Sequence, residues 1–312
     1  MLIQTDLENI TYSKNTIITI GTFDGIHRGH QEILKSLVSE SALRNWRSVL
    51  LTFEPHPQTI IRPERIPQMR ILTTIGEKAD ILDKLGVDVL IVAKFDNELA
   101  SKTGEEFIKD ILLSKIGMAK CVIGHDHVFG KNRSGNFDLM MRLSRSCGFE
   151  VNQINAIVHE DTVINSTLIR RLIREGHIEK ANQFLNRPYL YSGKIVKGDG
   201  RGRAIGYPTA NIAGHPLKLV PKNGVYACFV HLKNNKYMAV TNIGSRPTFT
   251  NADEAIIETH LLDFSNNVYD DEIQIEFLYR IRDEAKFNST EELKQQISED
   301  IKTALNKGFP IN

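Results

Sequence analysis

The stretch Gly21–His30 reads GTFDGIHRGH and sets His27 and His30 three residues apart among three glycines. An apolar run, TIITI, precedes it and an amphipathic run, HQEILKSLV, continues from it, so the histidines are expected at a turn from strand to helix. The start of a helix leaves N–H groups without intrahelical acceptors and carries the positive end of the helix dipole. Gly21, Gly25 and Gly29 let a ligand approach that backbone, and the two imidazoles add donors, a combination that suits phosphate. A metal fits less well, because zinc takes three or four protein ligands and no third ligand stands nearby. A helix cap plus a core histidine is the remaining reading of the same residues.

A second glycine-rich stretch, KGDGRGRAIGYPTANI, places Gly198, Gly200 and Gly202 at alternate positions. That spacing is wrong for the dinucleotide fingerprint GxGxxG, a proline follows where a helix should continue, and a Walker A Gly-Lys-Ser/Thr is absent. Taken by itself, PTAN is a turn. Further along, ETHLLDF lies in a strand-like run whose alternation turns Glu258 to the same side as His260. An exposed glutamate on a strand is the ordinary fate of that residue type.

The elements that must position these residues fall into two textures. From Thr16 to about Ile157, the runs TIITI, SVLLTF, VDVLIVAKF and AKCVIG alternate with HQEILKSLVSESALRNW, EKADILDKLG and GEEFIKDILLSKIG. This is β-α repetition, expected to give a parallel sheet with covering helices. In the first helical run Ile33, Leu34, Leu37, Val38 and Leu43 are assigned to the sheet-facing stripe. INSTLIRRLIREG and HIEKANQFLNRPYL read as two short helices, the first capped by Ser166 or Thr167 and stopped by Gly176. After Tyr189 come SGKIVKG, NGVYACFVHL, KYMAVTNIG, AIIETHLLDF and EIQIEFLYRI, which suit a small antiparallel barrel closed by the helix STEELKQQISEDIKTALNKG. The boundary is placed near Asn186, giving domains 1–186 and 187–312.

Composition narrows the class. Lys and Arg total 39 against 38 Asp and Glu, so no global field draws nucleic acid or an anionic membrane, and any polyanion site must be local. The cysteines, Cys121, Cys147 and Cys228, form no CxxC pair and sit in apolar surroundings expected of buried thiols, which points to a reducing compartment. No basic leader and no apolar run of membrane-spanning length is found, so the expectation is a soluble, cytoplasmic protein.

GTFDGIHRGH resembles the HxGH signature of the nucleotidyltransferase superfamily, and LTFEPHP from Leu51, GHDHVFGKNRSG from Gly124 and INSTLIR from Ile164 resemble, in order, motifs of the prokaryotic FAD synthetase domain. KGDGRGRAIGYPTANI, NGVYA, NIGSRPTF, ETHLLDF and FLYRIRDEAKFNS resemble the riboflavin kinase signature. The chain thus resembles the bacterial bifunctional riboflavin kinase/FAD synthetase family from Ile18 to Ala304. The resemblance implies a Rossmann-like nucleotidyltransferase domain followed by a small antiparallel β-barrel with a terminal helix. It implies that ATP is held by Gly21, Phe23, Asp24, His27, Gly29 and His30 with Ser166, Thr167 and Arg170, His27, His30 and Arg170 acting in catalysis. In the kinase half it implies ATP contacts from Gly198, Gly202, Gly206, Pro208 and Thr209, Mg²⁺ ligation by Thr209 and Asn211, and Glu258 as the catalytic acid. Asp126, Asn242, Arg246, Arg280 and Phe287 become candidates for the flavin side. Two positions depart from the family pattern: Asn165 stands where Ser is usual, and His127 where Phe is usual.

These implied chemistries agree with the residue types. The phosphate of FMN is already an anionic nucleophile, so adenylyl transfer asks for alignment and donors rather than a base. Phosphorylation of riboflavin asks a neutral hydroxyl to attack, so a carboxylate should orient it and take its proton. Riboflavin, FMN and ATP are the expected partners and Mg²⁺ the cofactor, with no nucleic acid or membrane, in a monomer or weak homo-oligomer. Two other classes share some features: an adenylyltransferase for another phosphorylated acceptor with the barrel as a binding module, and a regulatory nucleotide- or RNA-binding protein prompted by RGR. The Glu258 and PTAN pairing weighs against the first, and the near-neutral charge against the second.

Overall fold

The computed structural model describes residues 1–65, 69–155, 158–159, 162–198, 201–245, 255–264 and 268–306. Contacts divide the chain into two compact units, Met1–Ile71 with Ile75–Ser166, and Leu72–Thr74 with Thr167–Asn312.

The first unit is a six-stranded parallel sheet of β1 (Leu2–Gln4), β2 (Thr16–Ile20), β3 (Arg47–Glu54), β4 (Val89–Lys94), β5 (Met118–Gly124) and β6 (Glu150–Ile154), in the order β1-β4-β3-β2-β5-β6. The short N-terminal strand β1 has no clear signal in MLIQTDLENITYSK; it joins the sheet by pairing Leu2–Gln4 with Val89–Ile91 of β4. Buried parallel strands must be apolar on both faces, and every residue of TIITI in β2 is buried. Helices α1 (Arg28–Arg44), α2 (Pro57–Ile61), α3 (Ile75–Lys84), α4 (Asn97–Ser101), α5 (Gly104–Glu106) and α6 (Phe137–Cys147) connect the strands. The expected GEEFIKDILLSKIG helix begins as α5 under a Thr103–Glu106 capping box, and Phe107–Ile116 then winds as a π-helix ended by Gly117 in the left-handed region. Two-residue strands β7 (Val158–His159) and β8 (Thr162–Val163) form a hairpin.

One assignment in α1 is corrected. Ile33, Leu34 and Leu37 are buried as the stripe requires, but Leu43 is 88% exposed. It lies nine residues beyond Leu34, about two and a half turns at 3.6 residues per turn, and so on the opposite face; buried Ser41 holds the position. The thiols are corrected likewise: Cys121 and Cys228 are buried, with burial raising both pKa values, whereas Cys147 is exposed at the end of α6.

In the second unit α7 (Ser166–Glu175, whose first residue is counted with the first unit) and α8 (Ile178–Leu185) precede the barrel. Gly176, at φ +86°, ends α7 as expected. The cap expectation is revised: Ser166 is the first helical residue, with Asn165 before it, and its hydroxyl donates to the Asp24 carbonyl at 2.8 Å. The sequence texture changes at Asn186, whereas contacts group α7 from Thr167 and all of α8 with the barrel; the Asn182 side chain donates to the carbonyls of Phe277 and Leu278 and accepts from the Tyr189 N–H.

The barrel closes in the order β10-β13-β12-β11-β14-β9, every neighbouring pair antiparallel, from β9 (Tyr189–Val196), β10 (Ala210–Gly214), β11 (Gly224–Leu232), β12 (Asn235–Ser245), β13 (Ala255–Leu261) and β14 (Glu272–Arg282). A short helix, α9 (Arg201–Ala204), interrupts the glycine-rich segment, and α10 (Thr290–Asn306) is the terminal helix. The strand β10 begins inside PTAN, which sequence alone reads as a turn, and it joins β9 to β13 to close the ring.

The terminal helix is fastened to β14 by the Tyr279 hydroxyl, which donates to the carbonyls of Thr303 and Ala304, and by an ion pair whose acid is buried. Arg282 donates from Nε and Nη2 to the Asp300 carboxylate at 2.8 to 3.1 Å, and Gln296 donates to the same group at 3.0 Å. Asp300 is 3% exposed. Asp300→Ala removes the buried acid but leaves a part-exposed guanidinium that still donates to the Asp283 carbonyl, so it should lower the unfolding free energy of the barrel unit by about 2 kcal/mol. Urea unfolding followed by hydrogen exchange in β14 and α10 checks this; replacing Arg282 by Met in the same chain should recover part of the loss.

Candidate active sites

The strand order fixes the place of the first site. Between β2 and β5 the sheet's connections reverse direction, and a crevice opens outside the carboxyl ends of the strands at such a point. GTFDG leaves β2, GHDHVFG leaves β5, and LTFEPHP leaves β3, all at that edge. The loops after β2 and β5 meet: a side chain at Gly21, whose φ is +152°, would press on the Phe23 ring at 3.3 Å and approach the His127 ring at 3.8 Å.

Two bulky residues of the turn occupy the left-handed region, Phe23 at φ 44° and Ile26 at φ 40°, and both are buried. Buried His27 is the N-cap of α1; its Nδ1 accepts from the His30 N–H at 3.4 Å, which places the neutral ring's proton on Nε2. The His30 ring lies between two neighbours, stacked on His27 with centroids 3.7 Å apart and tilted against Phe23 at 4.6 Å. Gly29 leaves the His27 ring room, since a Cβ there would stand 3.2 Å from it. Asp24 is buried, and its carbonyl takes the Ser166 hydroxyl. Thr167, exposed, and Arg170, half-buried, follow on α7 within the second unit. Asn165 is exposed, with its side-chain amide donating to the Val163 carbonyl at 3.4 Å.

The loop after β5 exposes His125 and Asp126 and half-buries His127. Burial pushes the His127 pKa down to about 4 against the opposing pull of Asp126, so the ring is neutral at physiological pH. It stacks on Phe129 at 5.5 Å, and its Nε2 is buried with no hydrogen-bond partner among the described residues. A neutral stacked imidazole preserves the flat aromatic surface that the usual Phe would give.

Lys78 is a residue the sequence reading missed. Its ammonium is buried and donates to the Thr22 carbonyl at 2.6 Å and the Thr52 hydroxyl at 2.9 Å. Burial lowers its pKa from 10.5 to about 8, while Asp24 and Glu54 pull the other way. At about 1.4 kcal/mol per pKa unit, keeping the charge there costs the fold on the order of 3 kcal/mol below pH 8, a cost that fades as the pH rises towards the unfolded value. The signal was legible: Lys78 stands on the apolar stripe of α3 with Ile75, Ala79 and Leu82.

In the second unit the site is set by register. Asn211 of β10 pairs directly with Glu258 of β13, and Glu258 pairs with Asn242 of β12, so the three side chains form a row on one face of neighbouring strands. All three are half-buried, while Thr241 and Thr259 on the other face are buried with their hydroxyls 3.1 Å apart. His260 lies on the face of Glu258, as the alternation predicts; its Nδ1 is 2.7 Å from the Pro208 carbonyl, and its ring meets Tyr207 edge-on at 5.6 Å. Gly198 lies against the Asn211 end of this row. A Cβ at Gly198 would collide with the Asn211 amide, and one at Gly202 would collide with the Tyr207 carbonyl and stand 3.3 Å from the Thr209 hydroxyl. Gly206 adopts φ +88°. Thr209, Asn211 and Glu258 thus supply oxygen donors beside a segment that only glycine permits.

Arg280 donates to the Asn223 carbonyl, to Asp283 at 2.7 Å and to the Tyr226 hydroxyl at 3.3 Å, which holds it against the turn into β11. Phe287 lies 5.8 Å from the Arg282 guanidinium. Arg246 lies outside the described residues. Among the described residues no cluster of three or more His, Cys, Asp or Glu could hold a metal, and no helix is long and apolar enough to cross a membrane.

Family models agree with this division of labour. Residues 9–168 match the model for FAD synthetase and residues 185–307 the model for riboflavin kinase. A bifunctional riboflavin kinase/FMN adenylyltransferase of Buchnera aphidicola subsp. Schizaphis graminum is 37% identical, the match covering 93% of each chain. The protein of the same description from Escherichia coli K12 is 35% identical over 92% of this chain and 91% of its own. Among solved structures, one titled as a macrolide-efflux protein from Streptococcus pneumoniae superposes with a TM-score of 0.88 at 28% identity, covering 98% of this chain and 99% of the other. With both models matched in order and such relatives aligned over nearly its whole length, the chain belongs to the bacterial bifunctional riboflavin kinase/FAD synthetase family.

Proposed function

We propose that the chain phosphorylates riboflavin to FMN with ATP at the barrel site and adenylylates FMN with a second ATP at the sheet site, giving FAD and pyrophosphate. Residues 1–186 form the adenylyltransferase and 187–312 the kinase. The observation that carries the reading is the row Asn211–Glu258–Asn242, with Gly198 against Asn211, since a passive binding barrel has no need of a carboxylate in register with two amides.

At the sheet site the FMN phosphate attacks the α-phosphate of ATP. Negative charge builds on the phosphoryl oxygens, and the start of α1, His27 and His30 meet it with donors already in place. Gly21, Phe23, Asp24 and Gly29 shape the turn around the triphosphate, with Ser166, Thr167 and Arg170 as further contacts. Asp126 and the His127–Phe129 stack lie on the flavin side. At the barrel site Glu258 orients the terminal ribityl hydroxyl of riboflavin and accepts its proton as the γ-phosphoryl group is transferred. Gly198, Gly202, Gly206 and Pro208 cover the nucleotide, and Asn242, Arg246, Arg280 and Phe287 are assigned to the flavin side. Thr209 and Asn211 would hold Mg²⁺, a hard cation that takes oxygen ligands and neutralises phosphate charge. Near-neutral net charge supports an enzyme that engages neither nucleic acid nor membrane; a cytoplasmic location and a monomer or weak homo-oligomer complete the reading.

Incubation with riboflavin, ATP and Mg²⁺ followed by chromatographic separation of flavins should show FMN and then FAD; appearance of neither rules the reading out. His30→Ala should slow FAD formation by about a hundredfold or more while FMN formation continues, because one donor to developing charge is lost. Loss of both activities together would contradict two independent sites. Glu258→Gln should cut riboflavin phosphorylation by about a hundredfold and spare conversion of supplied FMN to FAD. An unchanged kinase rate would remove Glu258 from the role of base.

A further inference from the structure

A lysine buried without an ion pair needs a reason to be there. Lys78 is 4% exposed, and among the described residues no carboxylate stands within ion-pair distance of its ammonium. What it grips is backbone: the Thr22 carbonyl, inside the turn that carries Phe23, Asp24 and His27. The Thr52 hydroxyl, at the end of β3, is shared, taking a hydrogen bond from Lys78 and donating to the same carbonyl at 3.3 Å.

The Thr22–Phe23 peptide is trans, so its carbonyl and the Phe23 N–H point in opposite directions across one rigid plane. Drawing the carbonyl towards Lys78 therefore turns the Phe23 N–H away from Lys78. No described residue accepts a hydrogen bond from that N–H, although Phe23 is buried. An N–H left open on a buried residue of the turn into the histidine-bearing helix has the character of a donor kept for a ligand.

We propose that Lys78 is a positioning residue for adenylyl transfer, which by holding the Thr22 carbonyl presents the Phe23 N–H to a nucleotide phosphate. The inference rests on the adenylyltransferase reading above. Lys78 itself touches no substrate. It acts through one peptide plane, and its charge adds a positive field behind the turn. The charged groups whose fields reach it are Asp24 from the turn and Glu54 from the end of β3, both favouring the ammonium. Its pKa of about 8 predicts that this hold weakens as the pH rises through that value, since the proton and the field go together.

The test uses the full-length chain with Lys78→Met and Lys78→Arg, assaying FAD from supplied FMN and, separately, FMN from riboflavin. Lys78→Met should lower kcat for FAD formation by about tenfold or more, with KM for FMN moved far less and riboflavin phosphorylation unchanged. The unsubstituted enzyme should lose FAD-forming kcat above about pH 8, and Lys78→Arg, whose guanidinium stays charged, should extend the plateau. A Lys78→Met kcat within about twofold of the unsubstituted enzyme overturns the proposal, as does a Lys78→Arg alkaline limb that coincides with the original one. If both variants misfold, as loss of kinase activity and of circular dichroism would reveal, the pH profile of the unsubstituted enzyme decides, a flat kcat to about pH 10 being the overturning result. An unsubstituted chain that makes no FAD from FMN removes the function and the proposal together; an active one with unaffected variants removes the proposal alone.

Discussion

Phe23 and Ile26 hold left-handed backbone in the turn between β2 and α1, and the first unit depends on keeping them there. For residues with a Cβ, and a branched one at Ile26, that conformation costs about 1 to 2 kcal/mol each, so an isolated segment would relax out of it. Three things oppose relaxation: both side chains are buried, Lys78 and Thr52 hold the Thr22 carbonyl, and Ser166 holds the Asp24 carbonyl. Each is supplied from a different part of the chain, α3, β3 and the start of α7. The parallel sheet provides the fixed base from which all of them reach the turn. Preorganisation of this kind lets donors face a phosphate without rearranging when charge develops.

The barrel reaches the same end by a different constraint. A closed antiparallel ring fixes which residues are neighbours across strands, and the period of two fixes which face they share. Slipping β13 by one residue would carry Glu258 to the buried face and bring Thr259 out in its place. The buried Thr241–Thr259 contact and the apolar neighbours Ile257 and Leu261 make that slip expensive, so the row Asn211–Glu258–Asn242 is specified by the core rather than by the site's own interactions. The glycines beside it act by absence, leaving room for Asn211 and Thr209.

Much of this was legible because it is written in short-range pattern. The period of α1, the apolar β2 and the alternation of β13 are each local, and so is the glycine that ends α7. Leu43 departs from the stripe because apolar residues repeat along α1 without keeping the 3.6-residue period. The strand β10 was hidden because PTAN contains a proline and lies next to a glycine-rich segment, and only pairing with β9 and β13 makes it a strand. The burial of Lys78 is legible from its place on the apolar stripe of α3, but its role is not: its partner is a carbonyl, and backbone oxygens have no identity in a sequence. The motif resemblance reached His27, His30, Thr209, Asn211 and Glu258, but it could not show that Asn211, Glu258 and Asn242 are in register or that His27 and His30 stack.

The placement of acidic residues follows from the two nucleophiles. A phosphate monoester arrives with its charge, so a carboxylate facing it at the sheet site would repel it; Asp24 is in the motif, but it is buried, with its carbonyl tied to Ser166 and the Lys78 ammonium acting on it from behind. Asp126, on the exposed loop, is open to solvent that screens it. A ribityl hydroxyl arrives neutral, with a proton that must leave, and here the acid is half-buried in a row of amides on the open face of the sheet. On the roles proposed for these residues, exchanging the two environments would disable both reactions: an exposed acid before the histidines would oppose FMN, and an amide at position 258 would leave the hydroxyl its proton. Fusion of the two units in one chain therefore does not allow one site to serve both steps, because an anionic phosphate calls for hydrogen-bond donors where a neutral hydroxyl calls for a proton acceptor.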